Sequence, residues 1–311
     1  MTTSLAFLFP GQGSQAVGMG KELADKYPIA RQTFEEADAA LGMSLSRLCF
    51  EGPEEELRQT EITQPSILTV SVATWRVLAE QGVKPAWVAG HSLGEYSAHV
   101  AAGTLNFADA VRTVRNRGRY MQEAVPTGVG AMAAIIGMDA EKVRQICVQA
   151  AQEEVCEPAN MNSPEQVVIS GNKAAVDRAV TLATEQGAKK AVLLPVSAPF
   201  HCSLMRPAQE RLAQDLQTLP LKSPAVPVMC NVDAAAVETA DASRDALIRQ
   251  VTGAVRWDEC VRGLIAKGVE TFVEVGPGKV LWGLMRQIDR TKTSWQTSDD
   301  AALQKTLQGL K

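Results

Sequence analysis

Histidine is scarce in this chain: 311 residues contain three, His91, His99 and His201. A reaction that needs an imidazole base therefore has only three addresses. The six cysteines (Cys49, Cys147, Cys156, Cys202, Cys230 and Cys260) include no Cys-x-x-Cys pair. That spacing points away from a zinc site and a disulfide framework, and it suits a reducing cytoplasm. An excess of basic residues is missing too, with 31 Lys and Arg against 35 Asp and Glu, a net charge of −4. Nothing global draws the chain to nucleic acid or an anionic membrane, so any anionic ligand must be met by local basic groups. Long apolar runs are absent. The stretch Leu5 to Phe9 has no basic region before it and Pro10-Gly11 after it, so the expectation is a cytoplasmic chain without signal peptide or membrane span.

What is present is an ordinary globular balance, 46% hydrophobic and 21% charged, long enough for two structural units. The first strand, SLAFLF, runs into Pro10-Gly11-Gln12-Gly13-Ser14-Gln15. Open α/β sheets make ligand contacts at such loops, although Ala16 stands where a dinucleotide fingerprint needs its third glycine, and a plain turn accounts for the loop equally well. A helix is expected over Pro65 to Glu80, with Pro65 at its first position, Gln64 at its start and Gly82 beyond its end. The strand VKPAWVA, a turn at Ser92 and the helix EYSAHVAAG follow. Strands alternating with helices predict a mainly parallel sheet covered on both faces.

After Pro126 the pattern changes. Strands are expected at Gly130 to Met138, Val155 to Asn160, Gln166 to Ser170 and Lys190 to Val196, with helices at Asp139 to Glu153 and Lys173 to Gln186. That β-α-β-β-α-β order predicts a ferredoxin-like subdomain, residues 127–198, inserted into a larger α/β domain formed by residues 1–126 and 199–311. The larger unit resumes with a strand at Val226 to Val232, helices near Ser243 to Val251 and Trp257 to Lys267, a strand at Thr271 to Val275, and a last helix after Gly276-Pro277-Gly278.

Gly90-His91-Ser92-Leu93-Gly94 is a Gly-x-Ser-x-Gly sequence between a strand and a helix, the context of a nucleophile elbow. The turn lifts the serine hydroxyl above the sheet edge, at a helix end whose free N–H groups favour a developing oxyanion. A serine needs a general base. His91 adjoins Ser92 and projects elsewhere, and His99 lies two helical turns on, so His201 in the loop SAPFHCSLM is the candidate left by elimination. A third group that orients the histidine is not legible. The helix ADAVRTVRNRGRYMQEA puts Arg112, Arg115 and Arg119 on one face, suited to water, an acidic partner or a phosphate. Arg117 falls instead on the apolar stripe beside Val114, Met121 and Ala124. Either it pairs with a buried carboxylate, or its guanidinium clamps a substrate carboxylate; in the second case the transferred acyl group carries its own acid, and malonyl is the simplest such group.

Nearly end to end, the motifs resemble the malonyl-CoA:acyl carrier protein transacylases of fatty acid synthesis and the related acyltransferase domains of polyketide synthases. The resemblance rests on FPGQGSQ, TQPSILT, GHSLGEYSA, RGRYMQEA, GAMAAIIG, NSPEQVVISG, PFHCSLM and EVGPGKVL, in that order. It implies a hydrolase-like large domain with the ferredoxin-like insert, and transfer of malonyl from malonyl-CoA through a Ser92 ester to the phosphopantetheine thiol of holo acyl carrier protein, without a cofactor. It further implies His201 as base, Arg117 on the malonyl carboxylate, backbone N–H groups of Gln12 and Leu93 as oxyanion hole, the backbone carbonyl of Gln250 orienting the histidine, and Gln64 near the pocket. Leu93 and Phe200 match the relatives selective for malonyl. The chain departs from the pattern at Thr252-Gly253-Ala254, where fatty-acid members often carry Asn-Pro. Rival readings are a transacylase of a polyketide or malonate-decarboxylase system, a serine thioesterase or esterase, and a non-catalytic carrier-docking module. Whether Arg112, Arg115 and Arg119 meet the carrier is left open.

Overall fold

The computed structural model describes residues 4–310. A six-stranded sheet is built from β1 (Ser4–Phe9), β2 (Trp87–Gly90), β7 (Val228–Met229), β8 (Ala236–Val237), β9 (Val269–Glu274) and β10 (Thr293–Gln296), in the order β10-β9-β1-β2-β7-β8. All its pairings are parallel except the β7–β8 edge. Strand alternation divides the core between two faces. Phe7, Phe9 and Val88 pack on one side, whereas Ala6, Leu8 and Ala89 meet Trp257, Leu264 and Leu284 on the other. Burial on both faces is why the stretch Leu5 to Phe9 is apolar.

The second sheet, order β4-β5-β3-β6, is antiparallel and contains β3 (Gly130–Ile136), β4 (Cys156–Ser163), β5 (Gln166–Asn172) and β6 (Lys190–Leu193). Ala133 and Ile135 of β3 pack with the helices Ala140–Ala151 and Lys173–Glu185 into a separate core. The alternate residues Met132 and Ala134 turn the other way and join the main core. Backbone bonds also tie β4 to the first unit: Met161 N–H donates to Val255 O at 2.9 Å, and Val255 N–H to Ala159 O at 2.8 Å.

Several elements differ from the sequence expectation. The helix expected from Pro65 begins at Thr60 and runs to Glu80, so Pro65 lies inside it. Residues Thr60 and Ile62 to Thr74 are buried, and tertiary packing outweighs the hydrogen bond that proline cannot donate. VKPAWVA contributes a strand only from Trp87, and Val226–Val232 only Val228–Met229. The strand from Lys190 stops at Leu193, just before Pro195, which has no N–H for a ladder. Edge strand β10 and the helix Asp300–Gly309 had no sequence signal strong enough to be expected.

A close approach between two helices sets the position of Arg117. The helix Phe107–Glu123 crosses the first turn of Thr60–Glu80 at Gly118, where a Cβ would stand 2.5 Å from Thr60 O and 2.8 Å from Glu61 Cα. Backbone cannot yield as a flexible side chain can. Gly118→Ala is expected to cost about 1–3 kcal/mol of stability and to displace neighbouring Arg117; thermal unfolding measures the cost, and an unchanged melting temperature would contradict this packing argument.

Candidate active site

Ser92 sits between the end of β2 and the helix Gly94–Ala101, with φ at 51°, in the left-handed region that strains a non-glycine residue. Both flanking glycines are sterically required. A Cβ on Gly90 would lie 1.9 Å from Gly94 O, and one on Gly94 would lie 2.0 Å from Phe9 O. The turn is also held from behind. Ser92 N–H donates to Asn231 Oδ1 at 2.7 Å, Asn231 Nδ2 donates to Gly90 O at 2.7 Å, and Gln250 Nε2 donates to Ser92 O at 2.9 Å.

The structure brings His201, 109 residues away in sequence, to Ser92: Nε2 lies 2.6 Å from Oγ. On the far side of the ring, Nδ1 faces Gln250 O at 3.0 Å and Gly253 O at 3.2 Å. Two carbonyls can only accept, so Nδ1 carries the proton and Nε2 is left to accept from the serine hydroxyl. Burial, reinforced by the Arg117 charge, pushes the His201 pKa down to about 3, which keeps the imidazole neutral. Ser203 anchors the histidine loop to β4, donating from its N–H and Oγ to the Glu157 carboxylate at 2.9 and 2.8 Å.

Arg117 is 1% exposed. Its Nη1 donates to Gln64 Oε1 at 2.8 Å, and its Nη2 donates to Gln250 Oε1 at 2.9 Å and reaches Ser92 Oγ at 3.2 Å. The guanidinium carbon stands 5.7 Å from the centre of the Tyr96 ring. Among the described residues, Arg117 takes part in no ion pair. The buried-carboxylate alternative thus fails as a direct pair, and a desolvated cation is held by neutral amides beside Ser92.

The remaining sequence candidates fall close by. Gln12 follows Gly11, whose Cβ would come within 2.5 Å of His91 O, so the loop after β1 presses on the serine turn. The backbone N–H groups of Gln12 and Leu93 donate to no group among the described residues. Gln64 and Gln250 are buried and both hold Arg117. A cavity of about 770 Å³ opens over Ser92, His201 and Arg117, walled by Gln12 and, from the second sheet's side, by Met132 and Leu194. His91 binds Asn162 Oδ1 through Nε2 at 2.8 Å, and His99 is buried with no partner for either ring nitrogen. Arg112 and Arg119 are exposed, Arg112 paired with Asp109, and neither they nor Arg115 lines this cavity.

Sequence reasoning did not find three contributors: Asn231, the second carbonyl at Gly253, and Glu95. Glu95 Oε2 accepts from Asn231 N–H at 3.0 Å and from Gln250 Nε2 at 2.8 Å. Its signal was available, since it is the one carboxylate in the elbow helix, three residues after the serine. Asn231 falls just past the end of β7, within the longer strand expected there, and Gly253 stands in a loop; neither position carries a signal for its role.

Residues 6–307 match the sequence model of the acyl transferase domain family. The chain belongs to that family. Among its relatives, this acyl transferase is 53% identical to the malonyl CoA-acyl carrier protein transacylase of Salmonella typhimurium, with 98% of this chain and 99% of the relative covered. The enzyme of the same name from Bacillus subtilis strain 168 is 49% identical, with 99% and 98% covered. The solved malonyl CoA-acyl carrier protein transacylase of Coxiella burnetii superposes on the acyl transferase with a TM-score of 0.98 at 47% identity, covering 100% and 98%. A complex of a type II PKS acyl-carrier protein with its malonyl-transacylase gives 0.97 at 47%, covering 99% and 100%.

Proposed function

We propose that this acyl transferase moves a malonyl group from malonyl-CoA to the phosphopantetheine thiol of holo acyl carrier protein. The observation that carries the reading is that one hydroxyl, Ser92 Oγ, lies within hydrogen-bond reach of both a neutral imidazole and an unpaired buried guanidinium. His201 Nε2 takes the Ser92 proton as Oγ attacks the thioester carbonyl. The N–H groups of Gln12 and Leu93 receive the oxyanion. Collapse breaks the C–S bond, and the His201 proton leaves with the sulfur as free coenzyme A. In the second half-reaction His201 takes the proton of the carrier thiol. The thiolate attacks the ester, and the proton returns to Ser92 Oγ as the acyl group departs. Arg117 holds the malonyl carboxylate throughout with two parallel bonds, Gln64 and Gln250 fix its plane, and the Gln250 carbonyl fixes the histidine tautomer. No cofactor is required, because the thioester is already activated.

The reading extends to architecture. A hydrolase-like catalytic domain, residues 1–126 and 199–311, carries the nucleophile and base, and a ferredoxin-like insert, residues 127–198, forms the far wall of the cavity. The β-α-β-β-α-β order, the antiparallel sheet and its own core support the insert as a unit. Among the described residues no helix is long and apolar enough to cross a membrane.

Intact-protein mass after mixing with malonyl-CoA tests the reaction. The wild type should gain one malonyl group, Ser92→Ala none, and holo carrier protein should remove it to form malonyl-carrier. Release as free malonate at the same rate with or without carrier would instead favour the thioesterase reading.

A further inference from the structure

The cation at Arg117 has no anion in contact, yet one lies beyond it. Glu95 is wholly buried, and its Oε2 binds Gln250 Nε2; the same amide presents Oε1 to Arg117 Nη2. A single glutamine side chain thus separates the two charges. A carboxylate acceptor on one side forces the amide to turn its N–H group to Glu95 and its oxygen to Arg117. From the elbow helix Gly94–Ala101, Glu95 also receives Asn231 N–H, and Asn231 in turn holds the backbone of Ser92. Its Oε1 has no partner among the described residues.

We infer that Glu95 is a specificity-setting positioning residue: it acts through Gln250 as a remote counter-charge that tunes how tightly Arg117 holds an acyl carboxylate. The inference rests on the malonyl-transfer reading. A carboxylate in direct contact would occupy the guanidinium and exclude the substrate. One held an amide away orients Arg117, leaves the guanidinium without a contacting anion, and opposes the bound acyl carboxylate by like-charge repulsion. Moderate affinity suits a group that must be handed on in the second half-reaction.

The state of Glu95 bears directly on this. Burial pushes its pKa up to about 7, against the lowering effect of Gln250, Asn231 N–H and Arg117. Lower pH therefore neutralises Glu95, removes the repulsion, and should tighten binding of malonyl but not of acetyl. The other groups facing this centre hold their charge across pH 6–8.5. Burial lowers the Arg117 pKa from its ordinary value but a guanidinium keeps its proton, Cys230, Cys260 and Tyr96 are pushed up by burial and stay neutral, and Asp233 is held ionised by Arg249. His91 and His201 are pushed down and stay neutral.

The test compares KM for Ser92 loading from malonyl-CoA and from acetyl-CoA, in wild type and in Glu95→Gln, at pH 6 to 8.5. Glutamine can place its amide oxygen where Oε2 stands and keep both hydrogen bonds while removing the charge. The ratio of acetyl to malonyl KM should be about tenfold higher in Glu95→Gln than in wild type at pH 8.5, a coupling of about 1.4 kcal/mol. In wild type the same ratio should rise as pH falls through 7, and Glu95→Gln should abolish that rise. Effects common to coenzyme A or His201 cancel in the ratio. A wild-type ratio flat with pH overturns the inference, including where the variant fails to fold; so does a variant whose ratio matches wild type. Failure of wild type to load malonyl at all would instead sink the malonyl-transfer reading.

Discussion

Arg117→Ala is expected to lower kcat/KM for malonyl loading of Ser92 by about 10²–10³-fold while acetyl loading falls by less than about tenfold. The asymmetry follows from the acyl groups, since only malonyl brings a carboxylate into the desolvated space that Arg117 occupies. Truncation leaves that carboxylate buried against Gln64 and Gln250 amide oxygens, which repel it, so the loss exceeds that of one hydrogen bond. Acetyl loading still feels the missing contact from Nη2 to Ser92 Oγ. Rapid-quench measurement of acyl-enzyme formation with the two thioesters separates these effects, and equal losses would remove the carboxylate role from Arg117.

His201→Ala should slow Ser92 acylation by about 10²–10⁴-fold for both thioesters, because no other imidazole reaches the hydroxyl. His91 is engaged by Asn162, and His99 is buried in the core. The pH dependence has a definite sign. A base with an ordinary histidine pKa near 6.5 would lose about 30-fold of its neutral form on going to pH 5. At about 3, lowered chiefly by burial and next by the Arg117 charge, His201 remains neutral there, so kcat/KM for acetyl loading should hold nearly level from pH 8 to 5. A bound malonyl carboxylate cancels much of the Arg117 charge. The acid limb of kcat for malonyl, which reports the complex, should therefore lie at higher pH than the limb of kcat/KM. A limb near 6.5 in kcat/KM for acetyl loading would contradict the burial of the base.

How much could be read beforehand depended on whether the signal was local. The serine turn was legible because its constraint lies within five residues: glycines at Gly90 and Gly94 are demanded by backbone contacts under 2.1 Å. Arg117 was legible because helical periodicity set it on a face with Val114 and Met121, and the structure buries it there. The helix start was misplaced because a local proline preference competes poorly with the burial of the turn before it. The strand expected over Val226 to Val232 shrank to the two residues of β7, and the two-residue edge strand β8, shaped by its neighbour, carries almost no pattern of its own.

By itself, the sequence marked Ser92 as the candidate nucleophile, narrowed the candidate base to three histidines and singled out one arginine as chemically out of place, since composition, local geometry and periodicity are properties of short segments. Tertiary structure alone decided what surrounds them. It supplied two carbonyls for Nδ1 of His201, Asn231 behind Ser92, and an amide in place of a carboxylate against Arg117. Those partners lie 49 to 139 residues apart along the chain. Orientation at hydrogen-bond precision comes from packing between distant segments, and no local pattern encodes it.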